Sequence, residues 1–221
     1  ASQRRILGPD GKVKFTRTSS TKNAEMRAEP EGVIDPVVTS LSFWDKAGPI
    51  AVLTSYACHP QSYYRLGYPT PDFPGIARFI RSQSWPHTLH VHFNGAGGNI
   101  TLGKYNDGSD RAREEFTGRM QDAMRRAWTA TTRSALTPAD VEWRTNDISL
   151  PAKYGAFKDE LRAVAADTAR PNSERIAAIG KYVRAQALEE GTTLVVLRLG
   201  KAYSVHIPGE AFVQYQLGAQ A

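Results

Sequence analysis

The 221-residue sequence holds a single cysteine, Cys58, which excludes an internal disulfide framework and leaves the redox compartment open. No run approaches the ~18 apolar residues that a bilayer-spanning helix needs, and no charged-then-apolar leader opens the chain. It begins at Ala1 rather than methionine, so further sequence upstream is expected. Blocks of like charge are missing as well. The balance is basic, 28 Lys and Arg against 22 Asp and Glu, but both signs are mixed in stretches such as Arg111-Ala112-Arg113-Glu114-Glu115. No basic module interleaved with aromatics is present, so nucleic acid is not an expected partner. The phosphate-loop pattern Gly-x-x-x-x-Gly-Lys-Ser/Thr is absent, since Gly103-Lys104 runs into Tyr105. No Gly-x-Ser-x-Gly elbow occurs either, which disfavours a serine triad.

What is present is ordinary for a globular chain: 41% apolar and 23% charged residues, enough length for a substantial core, and no low-complexity linker. One domain over 1–221 is the simplest expectation. Residues 1–18 read as a surface loop or hairpin around Gly8-Pro9-Asp10-Gly11, and 19–32 as an irregular connection. Val37–Trp44 and Pro49–Tyr56 read as an antiparallel hairpin, and 59–74 as an irregular loop rich in proline and tyrosine. A helix opens near Phe73-Pro74 with Asp72 as its cap, followed by a strand over His87–Phe93. A long amphipathic helix spans Ser109–Thr131, burying Phe116, Met120, Ala123, Met124 and Trp128. A strand near Asp140–Leu150, helices over 154–168 and 173–190, and a strand pair Thr193–Leu199 and Ala202–Ile207 complete the pattern. The mixture gives an α/β fold, a mixed β-sheet flanked by helices.

Three segments carry candidate chemistry, each directly after an expected strand, where α/β proteins gather ligands and nucleophiles. In Ala57-Cys58-His59-Pro60-Gln61-Ser62, Pro60 holds the His59 backbone extended. An imidazole fixed at a strand end suits zinc, although a buried histidine bonded to a backbone carbonyl satisfies the same pattern. In Ile207-Pro208-Gly209-Glu210, the glutamate is either a second ligand or a first-turn charge favouring a helix at Ala211-Phe212-Val213. Between them, Asn94-Gly95-Ala96-Gly97-Gly98-Asn99-Ile100-Thr101 permits close backbone approach and offers amides to an oxyanion, or is simply a tight packing turn. His90 and His92 alternate along a strand and share a face; they and His206 are further possible ligands.

Taken in order, these segments resemble the neutral/alkaline, non-lysosomal ceramidases, zinc amidases that cleave the N-acyl bond of ceramide. Arg4 in Ser2-Gln3-Arg4-Arg5 resembles the Asn-Arg-Ser start, and Val33-Ile34-Asp35-Pro36 through Leu41-Ser42-Phe43 resembles the strand that follows. Ala57–Ser62 is similar to Ala-x-His-Pro-Thr-Ser, Asp72-Phe73-Pro74-Gly75 to Asp-x-x-Gly, Gly97–Thr101 to Ala-Gly-Asn/Asp-x-Ser, and Pro208-Gly209-Glu210 to Pro-Gly-Glu. The likeness runs over about 3–213, the middle of such a catalytic domain. Thr101 stands where the family has serine, and Leu102 where a proline follows.

The resemblance implies a zinc-dependent hydrolase acting on an amide or related acyl bond, with Zn2+ held by His59 and Glu210. Thr101 and Asn99 become candidate catalytic residues, and Arg4, Tyr63, Tyr64, Arg65, Gly97 and Gly98 candidate substrate contacts. It also implies a small-molecule or lipid-like substrate and a secreted or periplasmic location. The family's upstream histidine ligand and downstream tyrosine ligand have no counterpart here, so a missing N-terminal segment or companion chain is expected to complete the site. The alternatives are a non-catalytic binding or structural module that keeps the fold, and a metal hydrolase of another bond such as a carbohydrate ester.

Overall fold

The computed structural model describes residues 1–150 and 153–221, and the chain divides into two compact units, 1–133 with 210–221 and 134–209. The first unit opens with β1 (Ser2–Gln3) and the hairpin of β2 (Arg5–Leu7) and β3 (Val13–Thr16), turned by Gly8–Gly11. The connection read as irregular contains a short helix, α1 (Ala24–Ala28), capped by Asn23, whose side chain accepts from Met26 N. Arg17, fully buried, donates to the carbonyls of Met26, Gln3, Pro30 and Glu29 and so ties this segment down.

β4 (Thr39–Trp44) and β5 (Pro49–Tyr56) form the expected antiparallel hairpin, with a register shift at Phe43/Trp44. α2 (Asp72–Ser84) then carries the chain over to β6 (Leu89–Asn94), which pairs parallel to β5. A parallel neighbour requires such a crossover, and the result is a three-stranded mixed sheet, β4–β5–β6. The expected boundary at His87 is displaced to Leu89, because Trp85 to Thr88 closes as a turn. β7 (Ile100–Thr101) pairs with β1, a contact between residues about a hundred positions apart that no local pattern announces. α3 (Asp110–Thr129) is capped by Ser109, whose hydroxyl accepts from Ala112 N, and buries Phe116, Met120 and Met124 against α2. Trp128 stacks between Trp44 and Trp85.

The register places Leu41, Phe43, Ala51, Leu53, Leu89, Val91 and Phe93 on one face of this sheet. Val52, Thr54, His90 and His92 lie on the other, where Arg78, Met124 and Trp128 of α2 and α3 also line a small cavity beside His90. Leu89 and Phe93 are exposed.

The second unit is an antiparallel sheet of β8 (Val141–Ile148), β9 (Thr192–Leu199) and β10 (Ala202–His206), in the order β10–β9–β8. Gly200 turns the β9–β10 hairpin at positive φ. α4 (Lys158–Ala166) and α5 (Asn172–Glu189) pack as a helical pair, linked by Arg162 to the Tyr182 hydroxyl and by Arg175 Nε to the Ala165 carbonyl. From Glu210 the chain belongs to the first unit again and ends in α6 (Val213–Gln220). The mixed sheet with flanking helices is the α/β architecture that the sequence implied. Among the described residues, no helix is long and apolar enough to cross a membrane.

Candidate functional site

β5 ends at Tyr56, and a tight turn, with Cys58 N donating to Tyr56 O, delivers His59 just beyond the strand. His59 Nδ1 lies 3.0 Å from the Ile100 carbonyl. A carbonyl only accepts, so Nδ1 carries a proton and Nε2 is the ring nitrogen turned outward. That nitrogen faces Glu210: Nε2 and the Glu210 Oε2 are 3.5 Å apart, with the imidazole 19% and the carboxylate 77% exposed. Two residues about 150 positions apart in the sequence therefore share one solvent-accessible point at the end of the sheet.

The glycine turn places Glu210 by backbone contact. Gly98 N donates to Ala211 O at 2.9 Å, and a Cβ built on Gly98 would lie 2.3 Å from Glu210 O. Asn99, buried, ties the same junction. Its carboxamide oxygen accepts from Val213 N at 2.9 Å, satisfying an otherwise unpaired amide in the first turn of α6, and its Nδ2 donates to Gln214 and Gln3. The amides of Gly95, Ala96 and Gly98 are all engaged within the protein, by Tyr56 O, Gln216 Oε1 and Ala211 O. These amides hold the turn together instead of pointing into open space.

The Thr101 hydroxyl is engaged within the protein. The side chain is buried in the β1–β7 pairing, where its hydroxyl donates to Thr18 O at 2.7 Å and accepts from Gly103 N at 3.2 Å. Asn99 likewise meets protein groups. Arg4 is exposed, and its backbone N–H donates to Asn99 O, which sets it beside the turn. Tyr63 is half-buried, its amide bonded to Asp72 and its ring beneath the Arg113 guanidinium, and burial pushes its phenol pKa up. Tyr64 and Arg65 are exposed at the tip of the same loop, stacked on one another, with Arg65 at φ 64. Gly97 is buried, with Cys58 backbone atoms at its back. Cys58 is also buried, its thiol pushed up to about 12 by desolvation, so it is an inert packing residue.

His90 and His92 lie on the helix-facing side of β6, the second bonded to Thr54 Oγ1 at 3.0 Å. Among the described residues, no group of three or more His, Cys, Asp or Glu gathers as a metal site. Burial, with the Arg78 charge adding to it, drives the His92 pKa down to about 4, and burial with Arg81 and Arg78 lowers that of His90. For His92 the unfolded chain binds the extra proton between about pH 6.5 and 4, so its contribution is intact above 6.5 and lost as the pH falls through that window. Allowing for partial exposure, about 2 kcal/mol of stability is at stake. Urea unfolding at pH 7 and pH 4.5 should show that loss, and His92→Gln should reduce the difference. An unchanged pH dependence in the variant would remove His92 as the cause.

One strongly placed residue gave little signal in the sequence. Asp72, expected only as a helix cap, accepts from Ser62 N and Oγ, Tyr63 N and Phe73 N. Pro71 occupies the cap position, and Asp72 is the first helical residue, at φ 54. The Asp-Phe-Pro-Gly motif marked the place, but not the link to Ser62 across the loop.

No protein-family model matches the chain, and neither does any curated protein. Two solved structures are similar in fold: the neutral ceramidase from Pseudomonas aeruginosa, and a ceramidase complexed with C2. Each superposes with a TM-score of 0.58 and 15% identity over 88% of this chain. The chain spans about two fifths of their length, 38% and 40% respectively. At that identity the similarity establishes a shared fold.

Proposed function

We propose that this chain carries part of the centre of a zinc-dependent hydrolase that cleaves an N-acyl amide, or a related acyl bond, in a lipid-like molecule. The observation that carries this reading is the His59–Glu210 pair, with Nδ1 tied to Ile100 O and Nε2 free toward the carboxylate at 3.5 Å. Two ligands at about 2.0–2.2 Å from a tetrahedral zinc are separated by roughly 3.3–3.6 Å, so the pair needs little adjustment to share an ion. A carbonyl bonded to the far ring nitrogen is the outer support that zinc-binding histidines ordinarily have. The fold similarity to ceramidases supports the substrate class.

His59 and Glu210 would hold the ion, whose Lewis acidity polarises a carbonyl and brings the pKa of water to about 7. Asn99 and Gly98 fix the Glu210 segment against the turn, and Thr101 braces the strand whose Ile100 carbonyl orients His59. Exposed Arg4, Tyr64 and Arg65, with Tyr63 behind them, would border the substrate entrance. Two protein ligands leave the set short, so a further N-terminal segment or companion chain would supply the remainder. The apolar sheet face bearing Leu89 and Phe93 is a surface such a polypeptide would cover. A secreted or periplasmic location belongs to the same reading.

Metal analysis of the native protein after dialysis, with and without chelator, tests it. One zinc per molecule, and amide hydrolysis that disappears with the chelator and returns with zinc, is the expected result. Absence of bound zinc with hydrolysis unaffected would overturn it. The engagement of the Thr101 hydroxyl by Thr18 O favours a second reading, a binding module that keeps the fold without turnover. That module would retain ligand without hydrolysing it. Hydrolysis of a carbohydrate ester in preference to an amide, measured on a substrate panel, would instead identify a different scissile bond.

A further inference from the structure

Asp72 has three features that seldom coincide in a residue of purely structural use. It is 5% exposed, it adopts φ 54 without being glycine, and its carboxylate accepts four hydrogen bonds. Oδ1 receives Ser62 N at 3.0 Å, Ser62 Oγ at 2.6 Å and Phe73 N at 2.9 Å, while Oδ2 receives Tyr63 N at 2.9 Å. The left-handed backbone costs on the order of 1–2 kcal/mol and persists only where the surroundings over-determine it. Here they do: Asp72 N also donates to Thr70 Oγ1, closing the segment from both sides.

The partners of that carboxylate are the residues three and four positions after His59. Pro60 stiffens the intervening backbone, so fixing Ser62 and Tyr63 fixes the exit of the His59 turn. The entry is fixed separately, since Tyr56 O accepts from both Cys58 N and Gly95 N. With both ends of this short segment held, the imidazole meets Ile100 O at 3.0 Å.

We propose that Asp72 is a positioning residue for His59. Its carboxylate locks the His59–Tyr63 turn so that Nδ1 donates to Ile100 O and Nε2 faces Glu210. The significance of this for catalysis rests on the hydrolase reading, but the positioning itself is measurable without metal. In Asp72→Asn the side chain keeps its size, but one carboxylate oxygen becomes an NH2 group that cannot accept. Whichever way the amide turns, a donor to Asp72 loses its acceptor. In Asp72→Gly the backbone strain is relieved and the carboxylate is gone, so the fold can persist without the clamp.

The experiment is nitrogen NMR of metal-free protein with labelled histidine at about pH 8.5, where an ordinary imidazole is neutral, combined with amide hydrogen exchange. His59→Gln assigns the His59 signal. In the wild type, the His59 signal should report the Nδ1–H tautomer. In both Asp72 variants that tautomer population should fall, and exchange at Ser62 and Tyr63 should accelerate roughly tenfold or more, equivalent to at least about one lost hydrogen bond. Exchange in the core of α3 should stay at its wild-type rate. A wild-type tautomer in both variants would overturn the proposal. So would exchange that accelerates equally in α3, because it would show Asp72 to be a general stabiliser. Failure of the wild type to retain zinc would count against the hydrolase reading alone, since neither measurement uses the metal.

Discussion

His59→Ala is expected to weaken zinc retention by the native protein at least a hundredfold and to take amide hydrolysis with it, while leaving the fold in place. A structural zinc site of four ligands is worth about 10–16 kcal/mol, so each ligand carries roughly 3 kcal/mol. Tenfold in affinity corresponds to about 1.4 kcal/mol. The folded state loses less, because His59 is partly exposed and makes one hydrogen bond, to Ile100 O. That bond is worth about 1 kcal/mol. Glu210→Gln gives a complementary check: it keeps the size of a side chain that is mostly exposed, so stability should be unchanged while zinc affinity falls comparably. Competition with a chromogenic chelator measures both. Equal zinc affinity in the wild type and the two variants would show that the pair does not hold the ion.

Gly98→Ala is expected to destabilise the protein by about 3 kcal/mol, the upper end of ordinary overpacking costs. Gly98 is not in the left-handed region, so its backbone conformation suits alanine, and the cost is one of space. The added Cβ would lie 2.3 Å from Glu210 O and 3.0 Å from Ala211 O. Both obstacles are backbone, which cannot rotate away as a side chain end would. Relief requires the Glu210 segment to retreat, which breaks the Gly98 N to Ala211 O bond and withdraws the carboxylate from His59. Gly97→Ala is the control, because its Cβ would meet Cys58 backbone atoms at ordinary contact distance, 3.4 Å. Thermal unfolding should therefore separate the two alanine variants clearly. Similar melting temperatures would show that the turn and the Glu210 segment are not in close contact.

Much of the first unit was legible because its signals are local. The short apolar run within Pro49–Tyr56 and the apolar stripe Phe116, Met120, Met124 depend only on neighbours along the chain, and both elements formed where expected. Ser109, immediately before the periodic run, became the cap of α3. His59 and Glu210 could be singled out because each follows a strand and sits in a short sequence with restricted backbone freedom. α1 was not legible: five residues, Ala24 to Ala28, are too few to show a period, and the helix is held from outside by Arg17. The buried position of Arg17 was equally silent, since it depends on four carbonyls contributed by residues 3, 26, 29 and 30.

The sequence alone determined the α/β order of elements and the two residues worth testing as ligands, because backbone preference and hydrophobic period act over a few residues. Only the tertiary structure decided that His59 and Glu210 meet, that Thr101 is bonded inward to Thr18, and that Asp72 clamps Ser62 and Tyr63. Each of these contacts joins segments whose separation along the chain carries no information about their separation in space. The Thr101 and Asp72 contacts exist because buried donors and acceptors must be paired, and the same packing of sheet, turn and helices brings Glu210 to His59.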